Sequence, residues 1–211
     1  VYIRSKGGTS AAGNTAKVAK SKMEKAKVKR LIALIILSVT LISVFSVIAF
    51  AKENDINIVM NDSYSGSTVC NTVRENYEIS SSFISRIDKY IAEGFFEEHD
   101  IDTMIVFGGT NDSWIDAPIG KVQYANWSGE DLKSALPAFC YLIEKAKSVA
   151  KEPIVVINSD LKEEITNGFM AACEKNRVKY LCLKEIDKYN GHPTELGMEQ
   201  IAKQVTACLN R

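Results

Sequence analysis

The sequence predicts an α/β protein built on a parallel sheet that is covered by helices on both faces. Two observations lead there. Short apolar runs, Ile56-Asn57-Ile58-Val59-Met60, Thr103-Met104-Ile105-Val106-Phe107, Pro153 to Asn158 and Val178 to Leu183, the first three rich in β-branched residues, are too short for helices and read as buried strands. Segments with helical spacing separate them, and strands alternating with helices call for right-handed crossovers that coat both faces of one sheet.

The chain of 211 residues is nominally neutral, but the balance conceals two opposed parts. Residues 1–30 hold nine Lys or Arg against the single acid Glu24, a net +8, and the remainder carries −8. No aromatics interleave with the lysines to stack on bases, which argues against nucleic acid as the partner of the basic head. Residues 1–22 are rich in Gly, Ser, Ala and Lys without apolar periodicity and read as a disordered segment or as upstream sequence read from an early start.

Leu31 to Phe50 is twenty residues without a charge, long enough to span a bilayer as a helix. The preceding lysines would hold its amino end in the cytoplasm. Met23 to Arg30 forms a compact basic start, and Ala49-Phe50-Ala51 places small residues where a signal peptidase reads, followed by Lys52. The expectation is an N-terminal hydrophobic signal or anchor helix over 31–51, cleaved or retained. The protein is then secreted or held on the outer face of the cytoplasmic membrane, with residues 52–211 as the exported domain.

Within that domain, strand 56–60 runs into the polar turn Asn61-Asp62-Ser63-Tyr64-Ser65-Gly66-Ser67-Thr68. Ser82 to Phe96 has Phe83, Ile84, Ile87, Ile91 and Phe95 on one helical face. Strand 103–107 ends in Gly108-Gly109-Thr110-Asn111-Asp112, where the glycines allow a sharp turn at the strand's carboxyl end. A loop of about 113–127 follows, carrying Trp114, Tyr124 and Trp127. Loops of this length are usually functional or disordered; the aromatic content favours a packed functional loop, in which these rings offer either a sugar-stacking platform or ordinary packing.

Ser128-Gly129-Glu130-Asp131 reads as a capping box for a helix to about Ala150, bent near Pro137. After strand 153–158, Asp160 is the expected cap of a helix through Glu174. After strand 178–183, Thr194 caps a last helix with Met198, Ile201, Ala202 and Val205 inward. The five cysteines show neither C-x-x-C nor Cys/His metal spacing, and a Cys173–Cys182 bridge has no support in the pattern. No metal or organic cofactor is expected.

The chemistry-bearing residues sit at strand ends. Asn111 supplies a neutral amide donor where an oxyanion would form. Gly191-His192-Pro193-Thr194 supplies one of only two histidines; the other, His99, lies in the acidic stretch Glu97-Glu98-His99-Asp100 and reads as solvated surface. A strand-end amide and a late histidine suggest acyl transfer, with His192 as general base.

Three segments resemble the SGNH (GDSL-like) hydrolases, a family of serine esterases, over roughly residues 56–206. Asn61-x-Ser63-x-Ser65-Gly66-x-Thr68 is similar to the family's second block, Gly109-Thr110-Asn111-Asp112 to the third, and Gly191-His192-Pro193 to the fifth. The resemblance implies a flavodoxin-like three-layer α/β/α sandwich. It also implies an oxyanion hole from the Gly66 amide and the Asn111 carboxamide, and His192 as base. The expected substrate is an acyl ester of a carbohydrate, lipid or small molecule.

Two departures stand out. The family's Asp three positions before the histidine is Tyr189 here, leaving Asp187, Glu185 or a backbone carbonyl to orient His192. The family's Gly-Asp-Ser nucleophile occurs nowhere in the chain. Asn61-Asp62-Ser63 imitates it, making Ser63 the available nucleophile, although its neighbours place Ser63 in the second block. The alternatives are a domain lacking its first strand and nucleophile, or an inactive relative that binds a glycan or cell-wall component.

Overall fold

The computed structural model describes residues 2–3, 32–36, 56–72 and 81–210. In chain order the strands and helices are β1 (Tyr2–Ile3), β2 (Ile32–Ile36), β3 (Ile58–Met60), α1 (Phe83–Ala92), α2 (Phe95–Glu98), β4 (Ile101–Phe107), α3 (Thr110–Trp114), α4 (Ala135–Val149), β5 (Ala150–Ile157), α5 (Glu163–Asn176), β6 (Lys179–Cys182), β7 (Lys188–Tyr189), β8 (His192–Pro193) and α6 (Glu195–Leu209).

The main sheet has the order β1-β2-β4-β5-β6. Strands β2, β4, β5 and β6 run parallel, with Leu34 opposite Ile105, Ile105 opposite Ile154, and Val156 opposite Leu181. The two residues of β1, which fall in the segment expected to be disordered, pair antiparallel to β2 and β4, residues 4–22 lie outside the described residues, and β3 lies alongside β1 and β2. Both faces are buried, as an uninterrupted apolar strand requires. On one face Met104, Val106, Val155 and Ile157 pack with Phe83 and Ile87 of α1, Phe139 and Ile143 of α4, and Phe169 of α5. On the other, Ile105, Ile154 and Val156 pack under Ile201, Val205 and Leu209 of α6. Alternate residues of one strand thus feed opposite cores, which is the period-2 consequence of the pleat. The outcome is the expected three-layer α/β/α arrangement.

The Leu31–Phe50 segment departs from expectation. Its described part, Ile32–Ile36, is not a helix but a strand paired in parallel with β4 over five registered positions. An apolar run carries no period that separates a buried strand from a buried or membrane helix, and here the chain pairs as a strand. The position beside β4 is therefore filled from upstream of Lys52, where a gap in the sheet was expected. Residues 37–55 lie outside the described residues. No described helix is long and apolar enough to cross a membrane.

Smaller corrections have local causes. The helix expected over 82–96 is interrupted at Gly94, whose φ of 74° ends α1 and begins α2. The Ser128 box closes on itself, since Asp131 Oδ2 accepts from Ser128 N and Oγ while Ser128 Oγ accepts from Asp131 N. It caps only the 3-10 turn Asp131–Lys133, and α4 starts after Ser134. Pro137 then falls in the first turn of α4, where its missing N–H has no partner to lose. Asp160 does not cap α5, whose N-cap position is Lys162; it pairs with Lys188 instead. All five cysteines are free thiols.

Candidate active site

The turn after β3 is a built structure. Ser67 N donates to Tyr64 O at 3.3 Å, closing a turn whose third residue, Gly66, has φ 76°, a conformation that favours glycine. Beneath it Arg86 of α1, buried, donates to the Asp62 carbonyl at 2.5 Å and pairs with the Asp62 carboxylate at 2.6 Å. The same guanidinium reaches Ser81 O and Ser67 Oγ, and Tyr90 donates to Asp62 Oδ1 at 3.0 Å. Ser63 is half-buried; its hydroxyl donates to Asn61 Oδ1 at 2.6 Å and its amide to the same oxygen at 3.2 Å.

Helix α3 grows from the carboxyl end of β4 through Gly108 and Gly109. A Cβ on Gly109, at φ 92°, would stand 2.7 Å from Phe169 Cε2, so only glycine lets the chain turn there over the core. The turn delivers two buried polar side chains toward the 61–70 segment. Asn111 Nδ2 donates to Ser67 O at 2.9 Å, committing one of its two N–H groups beside Gly66. Asp112, fully buried, accepts Val69 N at 2.8 and 3.1 Å and Cys70 N at 3.2 Å. Burial pushes its carboxyl above the usual range, opposed by these amide bonds. Desolvation, with the Asp112 charge adding to it, likewise raises the Cys70 thiol.

His192 lies on an exposed hairpin. Strands β7 and β8 are joined by Asn190 and Gly191, with φ of 50° and 78°, the pair of positive φ values that a tight Asn-Gly turn demands. Tyr189 is opposite His192 in register, so a short hairpin stands within the strand-to-helix crossing expected from sequence. The hairpin rests on α3, for Trp114 stands edge-on to the imidazole at 5.2 Å between centroids, interplanar angle 87°. A Cβ on Gly191 would meet the same indole at 2.8 Å.

Asp187 is placed just before the hairpin. Its carboxylate accepts from the Thr194 hydroxyl, its carbonyl from Thr194 N at 3.1 Å, and its amide donates to Gln200 Oε1 at 2.7 Å. Thr194 Oγ1 in turn caps α6 by accepting from Gly197 N.

Three distant segments thus meet at the carboxyl edge of the sheet: Gly66 and Ser63 on the first, Asn111 on the second, His192 and Asp187 on the third. The Ser67–Asn111 bond joins the first pair of segments and the Trp114–His192 contact the second. His99 stays apart, stacked on Phe95 at 4.2 Å with Nδ1 against the Phe95 carbonyl. Of the aromatics in the expected loop, Trp127 packs on Tyr141 and donates to Gln123 O, whereas Trp114 belongs to α3 and is 44% exposed. Among the described residues no three His, Cys, Asp or Glu cluster as metal ligands. Sequence reasoning missed the roles of Arg86, Asp112 and Lys188. Arg86 had one signal, a charge set between Phe83 and Ile87 on an apolar helix.

No curated protein matches the chain. Among solved structures, a candidate GDSL-like lipase from Bacteroides uniformis is 39% identical, with TM-score 0.70, covering 78% of this chain and 75% of its own. A second, from Bacteroides ovatus, is 36% identical with TM-score 0.67, covering 78% and 77%. Residues 39–209 match the GDSL-like lipase/acylhydrolase family. With three strand-end segments meeting at the sheet edge and a match across most of its length, the chain belongs to the GDSL-like lipase/acylhydrolase family.

Proposed function

We propose that the protein hydrolyses an ester through a serine acyl-enzyme, with the Gly66 amide and the second N–H of Asn111 holding the oxyanion and His192 moving the proton. The observation that carries this reading is the Asn111–Ser67 bond, which fixes a neutral donor beside the Gly66 turn. A preorganised donor of this kind is worth about 3–4 kcal/mol in the barrier. Ser63 takes the nucleophile role, since it shares the Gly66 segment, and Asp187 takes that of the orienting acid, since it adjoins the histidine hairpin. The substrate is an acyl ester of a carbohydrate, lipid or small molecule, with the exposed Trp114 face beside His192 to hold its leaving group.

The test offers the purified protein short p-nitrophenyl esters and a fluorophosphonate probe, beside His192→Ala and Ser63→Ala. Hydrolysis that His192→Ala abolishes, with the probe recovered on Ser63, supports the assignment. Equal rates in wild type and His192→Ala remove it. A second reading, an inactive relative that binds a glycan or cell-wall component, is favoured by the bonds tying Ser63 to Asn61 and by the absence of Gly-Asp-Ser; ligand binding without labelling would select it.

The same reading places the protein outside the cytoplasmic membrane, secreted or anchored. Its support is the lysine-rich start ahead of the uncharged 31–50 stretch. The pairing of Ile32–Ile36 with β4 favours retention of this segment in the folded domain over its cleavage or its placement in a bilayer. N-terminal sequencing of protein recovered from fractionated cells decides between a start at Lys52 and retention.

A further inference from the structure

The hairpin that carries His192 is a poor structure on its own. It has two residues per strand, and an isolated two-stranded ribbon is marginal at best in water. Tyr189, Asn190 and His192 are exposed, so apolar burial does little to hold it. The Asp187–Thr194–Gln200 bonds tie its base to α6.

Lys188 supplies the other tie. Its side chain is only 10% exposed, and its ammonium donates to Asn158 Oδ1 at 2.8 Å, Ser159 Oγ at 2.9 Å and Asp160 Oδ2 at 2.5 Å. Three N–H donors meet three acceptors. Asn158, itself buried at the carboxyl end of β5, donates from Nδ2 to Thr110 Oγ1 at 3.1 Å. Thr110 opens α3 and immediately precedes Asn111. A continuous polar path therefore runs from the strand of the candidate base, through the end of β5, to the helix of the candidate oxyanion donor.

We infer that Lys188 is a positioning residue, fixing the His192 hairpin against α3 and so setting the distance between base and oxyanion hole. The catalytic part rests on the ester-hydrolase reading; the docking part does not. A shift of about 1 Å between such groups can cost about 100-fold in rate.

The test uses the full chain carrying Trp127→Phe, which leaves Trp114 as the single indole of the two in the sequence. Lys188→Met keeps the stem and removes the donors. Its expected results are a red-shifted, more readily quenched Trp114 emission, and a kcat at least about 10-fold lower with KM within twofold. Lys188→Arg is expected to restore part of both, and Lys151→Met, which breaks exposed ion pairs to Asp100 and Asp102 elsewhere on the sheet, to change neither. Asp160→Asn, giving a smaller shift of the same sign, decides the matter should Lys188→Met fail to fold. Unchanged Trp114 emission in Lys188→Met, or in Asp160→Asn when it stands in, overturns the docking role. Shifted emission with unchanged kcat overturns the positioning role. A wild type without esterase activity sinks the catalytic reading alone, leaving emission to judge the docking.

Discussion

Asp112 accepts the amide of Val69 with both carboxylate oxygens, at 2.8 and 3.1 Å, across 43 residues of sequence. Together with Cys70 N at 3.2 Å, the pair clamps the Gly66 turn to the helix that bears Asn111. Asp112→Asn replaces one acceptor by an amino group facing backbone donors. The expected cost is about 2–3 kcal/mol, a Tm lower by roughly 4–12 °C in a domain of this size. Calorimetry that finds the Tm unmoved would show that the clamp carries no stability.

Asn111 should behave differently from its neighbour. Asn111→Ala removes a donor aimed at the developing charge, so kcat falls about 100- to 1000-fold with little change in KM. Steady-state kinetics on a p-nitrophenyl ester separate the two cases, because a loss carried by KM would mean that Asn111 only binds substrate.

Burying Arg86 makes its partner indispensable. Its side chain is 9% exposed and that of Asp62 13%, at 2.6 Å. Asp62→Ala leaves a guanidinium without its counter-charge, at an expected cost of about 3–5 kcal/mol. Lys89→Ala, which breaks an exposed pair with Glu93 on the same helix, should cost less than about 1 kcal/mol. Equal urea midpoints for the two variants would contradict this.

These three side chains also mark the limit of what the sequence discloses. Strands β4 and β5 were legible because β-branched runs buried on both faces leave few alternatives, and the segments around Gly66, Asn111 and His192 were legible as polar strand-end motifs. Their bonding was not. Asp112 reads as a local cap until Val69 comes beside it, and Asp160 reads as the cap of α5 until Lys188 arrives from 28 residues away. Ile32–Ile36 failed for another reason: an uncharged stretch satisfies a bilayer and a sheet interior equally well, and only pairing with β4 separates them.

Gly197 is the tightest point between α6 and the histidine segment. A Cβ there would stand 2.0 Å from the Asp187 carbonyl oxygen, a backbone atom that cannot turn aside. Gly197→Ala should therefore push α6 from the hairpin base and strain the Thr194 cap, costing about 3 kcal/mol or more. Gly129→Ala, where a Cβ meets nothing within 4 Å, should be neutral or slightly stabilising. Thermal melts of the two in parallel are the check, and a stable Gly197→Ala would mean that the hairpin base yields freely.

Acid should undock the hairpin by a route that the Lys188 contacts define. The Lys188 ammonium, hydrogen-bonded to Asp160, holds that carboxyl below its usual range. A depressed folded pKa contributes stability that is present above the unfolded value, about 3.9, and is lost as pH falls through the folded value. Asp160 is half exposed, so solvent weakens the effect. In the Trp127→Phe background, Trp114 emission should shift red below about pH 4, as Asp160 takes up its proton. Lys188→Met, already undocked, should show no such step. A step of equal size in both proteins would assign the transition to other carboxylates and detach Asp160 from the hairpin.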